Sequence, residues 1–233
     1  MPSFSKGSAF MEKCFTRNIG AITEEECAVL KNKKVFVAGC GGLGGYIIEY
    51  LTRIGVGEIV ACDGDCFDET NLNRQLLSCE DNIGKNKAEE AFKRAKAIFP
   101  EIVFTSVTEF ITEENAEKLI SGCDVVMDAL DSVKARKVLA SACDKLGIPL
   151  VHGAIEGWFA QVSVVMPGSD LIDKLYPDKN ENDNKSSLSF TPAFCASLQV
   201  AEAVKLLLGR EVSLENKVLF ADLLTNEFKT FEL

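Results

Sequence analysis

A short apolar strand pattern, Lys34 to Ala38, runs without a break into Gly39-Cys40-Gly41-Gly42-Leu43-Gly44-Gly45. An amphipathic helix follows, with Leu43, Ile47, Ile48, Leu51 and Ile54 on its apolar face and Gly55 and Gly57 at its end. A second strand pattern covers Glu58 to Asp63. Strand, glycine turn, helix and strand within about 30 residues form the βαβ unit of a parallel sheet. Gly39, Gly41 and Gly44 satisfy G-x-G-x-x-G in that context, where backbone N–H groups at a helix start can approach a phosphate. The bland reading is a turn kept glycine-rich only for tight packing of strand on helix.

The alternation continues along the chain. A helix is expected over Lys85 to Ile98, stopped by Pro100, then a strand over Ile102 to Val107, a helix over Glu113 to Ile120 and a strand over Val125 to Ala129. Lys134 to Leu146 reads as a helix with Gly147 as C-cap, and Leu150-Val151 opens another strand. Gln161 to Val165 is strand-like. Thr191 as cap and Pro192 in the first turn begin a helix through Leu208, and Lys217 to Leu223 with Phe228 to Leu233 form a hairpin. The fold class is therefore α/β, a Rossmann-like doubly wound and mostly parallel sheet with an antiparallel C-terminal extension. Residues 1–32 form an N-terminal arm with one helical stretch capped by Thr23, and 33–233 form one domain. The one long polar segment, about 168–190, is expected to be a mobile crossover loop.

Composition narrows the classes. No apolar run approaches the roughly 20 residues of a membrane helix, and residues 1–13 carry no secretory pattern, so the cytoplasm is the expected location. A net charge of −10 argues against broad nucleic-acid binding. Nine scattered cysteines read as reduced thiols; only Cys62 and Cys66 lie close together, and no second pair completes a structural zinc site.

Asp63 stands at the end of the second strand, where a carboxylate accepts hydrogen bonds from ribose hydroxyls; a turn carboxylate beside Gly64 and Asp65 is the alternative. Downstream come Asn71-Leu72-Asn73-Arg74-Gln75, Ile83-Gly84-x-x-Lys87 and Asp128-x-x-Asp131. On spacing alone Lys87 is one lysine on a basic helix face, and Arg74 a surface ion-pair partner for Glu69 or Asp68. Taken together and in this order, these motifs resemble the ThiF/MoeB/HesA family, relatives of the adenylation domain of ubiquitin-activating enzymes, from about Arg17 to Leu233.

The resemblance implies an ATP-dependent adenylyltransferase. Its substrate would be the C-terminal Gly-Gly carboxylate of a ubiquitin-like sulfur-carrier protein of the thiamin or molybdopterin type, converted to an acyl-adenylate with release of pyrophosphate. It implies that Gly39, Gly41, Gly42 and Gly44 cradle ATP, that Asp63 holds the ribose, and that Asn71 and Arg74 hold the phosphates. Lys87 would meet the charge that builds up at the α-phosphate, Ser132 would touch the nucleotide, and Asp131 would bind Mg²⁺. Arg17 would reach the neighbouring subunit's site, which implies a homodimer. His152, the only histidine, reads as structural, because an ionised carboxylate needs no base. Trp158 and Phe159 read as core residues in preference to a groove lining.

The chain departs from the family pattern in lacking two C-x-x-C pairs and any cysteine between Gly168 and Ser189. Cys195 falls inside the last helix, so an inert thiol and no covalent enzyme–carrier intermediate on a loop cysteine are expected. Three other readings compete: the tRNA-modifying dehydratase branch of the same superfamily, an NAD-binding oxidoreductase, and a nucleotide-binding module that has lost catalysis, which the missing cysteines keep open. The acidic balance and the Ser197-Leu198-Gln199-x-x-Glu202-Ala203 helix resemble the carrier-activating branch more, and an oxidoreductase would leave Arg74, Lys87 and Asp131 without a joint purpose.

Overall fold

The fold is that of a computed structural model, which describes residues 12–177 and 186–233. Among these residues eight strands form one sheet: β1 (Lys34–Ala38), β2 (Glu58–Cys62), β3 (Val103–Val107), β4 (Val125–Asp128), β5 (Leu150–Glu156), β6 (Phe159–Val165), β7 (Lys217–Asp222) and β8 (Glu227–Glu232). They lie side by side as β3-β2-β1-β4-β5-β6-β7-β8. The first five are parallel, and β6, β7 and β8 extend the sheet antiparallel. Strand order thus reverses beside β1, between β2 and β4. Ligands of doubly wound sheets bind at that switch point, outside the carboxyl ends of the strands.

The helices are α1 (Glu24–Leu30), α2 (Gly42–Ile54), α3 (Lys87–Ile98), α4 (Ala116–Ile120), α5 (Val133–Leu146), α6 (Leu171–Leu175) and α7 (Phe190–Leu207). Strand alternation sends β1 side chains to two separate cores. Val35 and Val37 meet Ile47 and Leu51 of α2, Ala91 of α3 and Ala203 of α7. Phe36 and Ala38 meet Ile120 of α4 and Leu139 of α5 on the other face. Burial on both faces explains why β1 and β4 read as continuous apolar runs. The buried Glu49 of α2 accepts from Arg94 of α3 at 2.8 and 2.9 Å, fixing the two helices that flank the glycine turn.

Several expected boundaries move, each for a local reason. Helix α3 starts at Lys87 instead of Lys85, because the Asn86 side chain accepts from the N–H groups of Ala88 and Glu89 and so caps it. Helix α4 starts at Ala116, since Asn115 ties the preceding turn to Thr112 and Phe110. Helix α7 starts at Phe190, and Thr191 is not its cap: its hydroxyl donates to the Gly157 carbonyl at 2.8 Å. The segment expected as one long loop contains α6, with Leu171 and Ile172 buried in the second core. Its centre, 178–185, lies outside the described residues. The expected cap of α1 is present as a reciprocal pair between Thr23 and Glu26. No described helix is long and apolar enough to cross a membrane.

Candidate active site

One cleft of about 500 Å³ opens at the switch point, and Gly39, Gly41, Gly42, Asp63, Arg74, Lys87 and Asp131 all line it. Gly39 has φ +93°, and a Cβ there would stand 2.7 Å from the Ala129 carbonyl oxygen of the neighbouring turn. Gly44 faces inward, where a Cβ would overlap the Gly39 carbonyl oxygen. These two glycines are needed by the turn itself. Gly41 is the N-cap of α2 and makes no side-chain cap, so the first N–H groups of a 13-residue helix open on the cleft with its positive dipole end.

Asp63 is clamped by two backbone donors: Cys40 N–H gives to Oδ2 at 2.7 Å and Asp65 N–H to Oδ1 at 2.9 Å. Burial raises its pKa, against the pull of these two N–H groups and of Lys87. Each carboxylate oxygen keeps a second lone pair for a ligand hydroxyl. Asn86 reaches the same loop from α3, donating to the Asp63 and Asp65 carbonyls at 3.0 and 3.1 Å. Lys87 follows it. It is only 8% exposed, with its ammonium 3.4 Å from Asp65 Oδ2, so the reading as a solvated helix-face lysine does not hold. Arg74 donates to the Thr70 carbonyl at 2.8 Å and Asn73 Oδ1 at 2.9 Å, with neither Glu69 nor Asp68 as partner.

The remaining expected residues lie outside the cleft lining. Asn71 is buried in the turn Glu69–Asn71, where Oδ1 accepts from Asp68 N–H at 3.1 Å. Ser132 is the N-cap residue of α5, next to Asp131. Gly44 sits behind the turn, and Arg17 is exposed on the turn Lys13–Asn18. The expectation for Trp158 and Phe159 is corrected: they are 39% and 40% exposed, and Phe159 lines the cleft, stacked on Phe220 with ring centroids 5.5 Å apart. Both sit at the turn of the β5–β6 hairpin, where Trp158 packs on Phe190 of α7 with ring centroids 5.0 Å apart.

Sequence reading missed the opposite wall, where Arg136, Gln161 and Tyr176 line the cleft. Arg136 donates to the Tyr176 hydroxyl at 2.6 Å and pairs with the fully buried Asp128, Nε to Oδ2 3.5 Å. His152, also fully buried, meets Asp128 Oδ2 at 2.7 Å. Tyr176 could not be placed from a segment that reads as polar loop, and Arg136 was one cation among several on α5. Gln75 lines the cleft beside Gly41, and its Oε1 is buried without a protein partner. Of the thiols, burial pushes Cys195 and Cys62 up to about 12, a range in which neither is a nucleophile at neutral pH.

The buried His152–Asp128 pair has a pH signature. Burial depresses the imidazole pKa below its usual 6.5, against the pull of Asp128, while Arg136 and His152 hold the Asp128 carboxyl below its usual 3.8 despite burial. Above pH 6.5 folded and unfolded imidazoles are both neutral. Below it the unfolded chain binds a proton that the native one refuses, so stability falls with decreasing pH by up to about 1.4 kcal/mol per unit. The Asp128 contribution is lost only at much lower pH. With a single histidine in the chain, urea unfolding of the parent and of His152→Asn at about pH 7.5 and about pH 5.5 separates the imidazole from carboxyls such as Asp63, whose raised pKa acts in the opposite sense. His152→Asn should flatten that slope; an unchanged slope places its origin elsewhere.

The sequence profile of the ThiF family matches residues 15–233, nearly the whole chain, so the chain belongs to that family. It is 34% identical over 207 residues to the SAMP-activating enzyme E1 of Haloferax volcanii, covering 86% of this chain and 77% of that protein. It is 33% identical over 212 residues to the sulfur carrier protein adenylyltransferase of Thermus thermophilus, covering 86% and 78%. Among solved structures, E. coli MccB with ATP superposes with a TM-score of 0.83 at 22% identity, over 95% of this chain and 72% of that one, a likeness of fold.

Proposed function

We propose that this ThiF-family chain adenylates the C-terminal Gly-Gly carboxylate of a ubiquitin-like sulfur carrier of the thiamin or molybdopterin type. The observation that carries the reading is Lys87, a buried ammonium held by Asp65 on the same cleft as the open helix start at Gly41. A dinucleotide carrier needs its phosphates bound; a reacting triphosphate needs, in addition, cations where charge develops. Lys87 and Arg74 supply them.

The chemistry balances within the cleft. A carrier carboxylate oxygen attacks the α-phosphorus, the bond from that phosphorus to the bridging oxygen breaks, and pyrophosphate leaves with the electron pair. No proton moves, so no general base is required. Lys87 compensates the charge on the α-phosphoryl oxygens, Arg74 offers a planar guanidinium to the leaving group, and Asp63 holds the ribose hydroxyls. Gln75 Oε1 offers an unused acceptor beside the phosphate-binding turn. Asp131 is one carboxylate facing the cleft, the donor set Mg²⁺ takes when phosphate oxygens and water complete its shell. Mg²⁺ bound there would neutralise charge on the triphosphate.

Asn71 holds the turn that carries Arg74, and Ser132 the start of α5, so both serve the site through the backbone. The apolar end of the cleft, with Ile155, Phe159 and Phe220, suits the carrier's tail. Arg17, exposed and outside the cleft of its own chain, serves the second site of a homodimer. The relatives named above, an E1 and a sulfur carrier adenylyltransferase, support the same substrate class.

The test is purified protein with Mg-ATP and candidate carriers ending in Gly-Gly. Carrier-dependent ATP–pyrophosphate exchange and a carrier mass gain of one AMP are expected. Exchange seen only with tRNA, or tight NAD binding with no exchange at all, would sink the reading.

A further inference from the structure

We propose that His152 is a positioning residue for the nucleotide half of the cleft, acting through Asp128 on the turn that presents Asp131; this rests on the adenylation reading above. His152 does not line the cleft, so it touches no substrate. Its geometry fixes what it does. Asp128 is ionised and can only accept, so the 2.7 Å contact requires the hydrogen on His152 Nδ1. Nε2 is then the acceptor, facing the Gln161 amide nitrogen at 3.1 Å and the Tyr176 hydroxyl at 3.2 Å. The single Nε2 lone pair faces both donors, and the Gln161 amide also has the Tyr176 hydroxyl oxygen as acceptor at 2.8 Å.

Asp128 passes that constraint to the chain. Its other oxygen, Oδ1, accepts from the Leu130 N–H at 3.0 Å, while the Leu130 carbonyl accepts from Arg136 Nη2. Both backbone polar groups of the residue preceding Asp131 are therefore held by the same buried cluster. Without the imidazole donor, Oδ2 keeps only Arg136 Nε at 3.5 Å, too long for a hydrogen bond. The carboxylate then turns toward the guanidinium, and the Leu130 N–H loses its acceptor. The turn that carries Asp131 loosens with it. Groups hydrogen-bonded directly to a metal ligand change metal affinity by about ten- to a hundredfold when replaced, and His152, acting through Asp128 and Leu130, is expected at the lower end of that range.

Two amide variants, which differ by one methylene, test this. The Asn amide nitrogen falls near the place of Nδ1 and can still donate to Asp128; the Gln amide nitrogen falls near Nε2 and cannot. Affinity for ATP is measured by calorimetry without carrier, with Mg²⁺ and with EDTA, alongside melting temperatures. His152→Asn is expected to keep Mg-ATP affinity within about threefold, and His152→Gln to lose about tenfold or more, with both matching the parent in EDTA. If His152→Gln does not fold, His152→Ala replaces it in the comparison. Equal Mg-ATP affinity in parent and variants overturns the proposal, as does a loss of the same size in EDTA. A parent that binds no nucleotide overturns both readings; one that binds Mg-ATP but shows no carrier-dependent exchange overturns only the carrier assignment.

Discussion

Lys87→Ala lowers carrier-dependent exchange by about a hundred- to a thousandfold while ATP binding stays within about threefold of the parent, the pattern of an interaction made mainly in the transition state. Burial is the reason for the size of the effect. Lys87 is 8% exposed and its ammonium is tethered to Asp65 at 3.4 Å, so it is already in place when charge develops and is weakly screened by water. Lys87→Arg should not restore the rate, because a planar fork on the first residue of α3 does not occupy the position of a compact ammonium. Exchange kinetics against carrier concentration, with nucleotide affinity by calorimetry, separate the two effects. Unchanged turnover removes Lys87 from the mechanism.

Gly44→Ala is expected to be strongly destabilising for a single methyl group. Its Cβ would overlap the Gly39 carbonyl oxygen, and the Ala129 side chain closes the far side at 3.5 Å. Backbone, not a movable side chain, has to yield, at about 3 kcal/mol or more. For a chain of this size that is a fall in melting temperature of about 6–12 °C. The control is Gly84→Ala, at a glycine whose φ, unlike that of helical Gly44, is positive, with nothing within 4 Å of the added carbon; it carries backbone strain without overlap. If Gly44→Ala melts with the parent, the turn tolerates a side chain and the packing argument fails. Its nucleotide affinity should fall as well, since α2 begins at the same turn.

The fold was legible because its two periodicities are clean. Continuous apolar strands such as Val35–Ala38 alternate with helices of 3.6-residue spacing, and Gly55 and Gly147 close α2 and α5 in the left-handed conformation that the sequence implied. What stayed hidden were side chains with two possible jobs. Thr191 looks like a cap and instead ties α7 to the Gly157 turn, and Asn86 looks like filler and caps α3. The nucleotide wall of the cleft was readable because its residues cluster in motifs next to strand ends. The opposite wall was not. Arg136, Gln161, His152 and Tyr176 come from four separate elements, and only the sheet order brings them to one buried carboxylate.

Asn86 couples two properties that could have been independent. One face of its amide completes the first turn of α3, and the other draws in the carbonyls on both sides of Gly64. Fraying of that helix end and slackening of the Asp63–Asp65 loop are therefore a single local opening, with one free-energy cost. If Asp63 holds the ribose as proposed, substitutions that stiffen the start of α3 are expected to tighten nucleotide binding, and those that loosen it to weaken binding without touching the ligand. In this chain, tuning affinity and tuning local stability at that corner are the same operation.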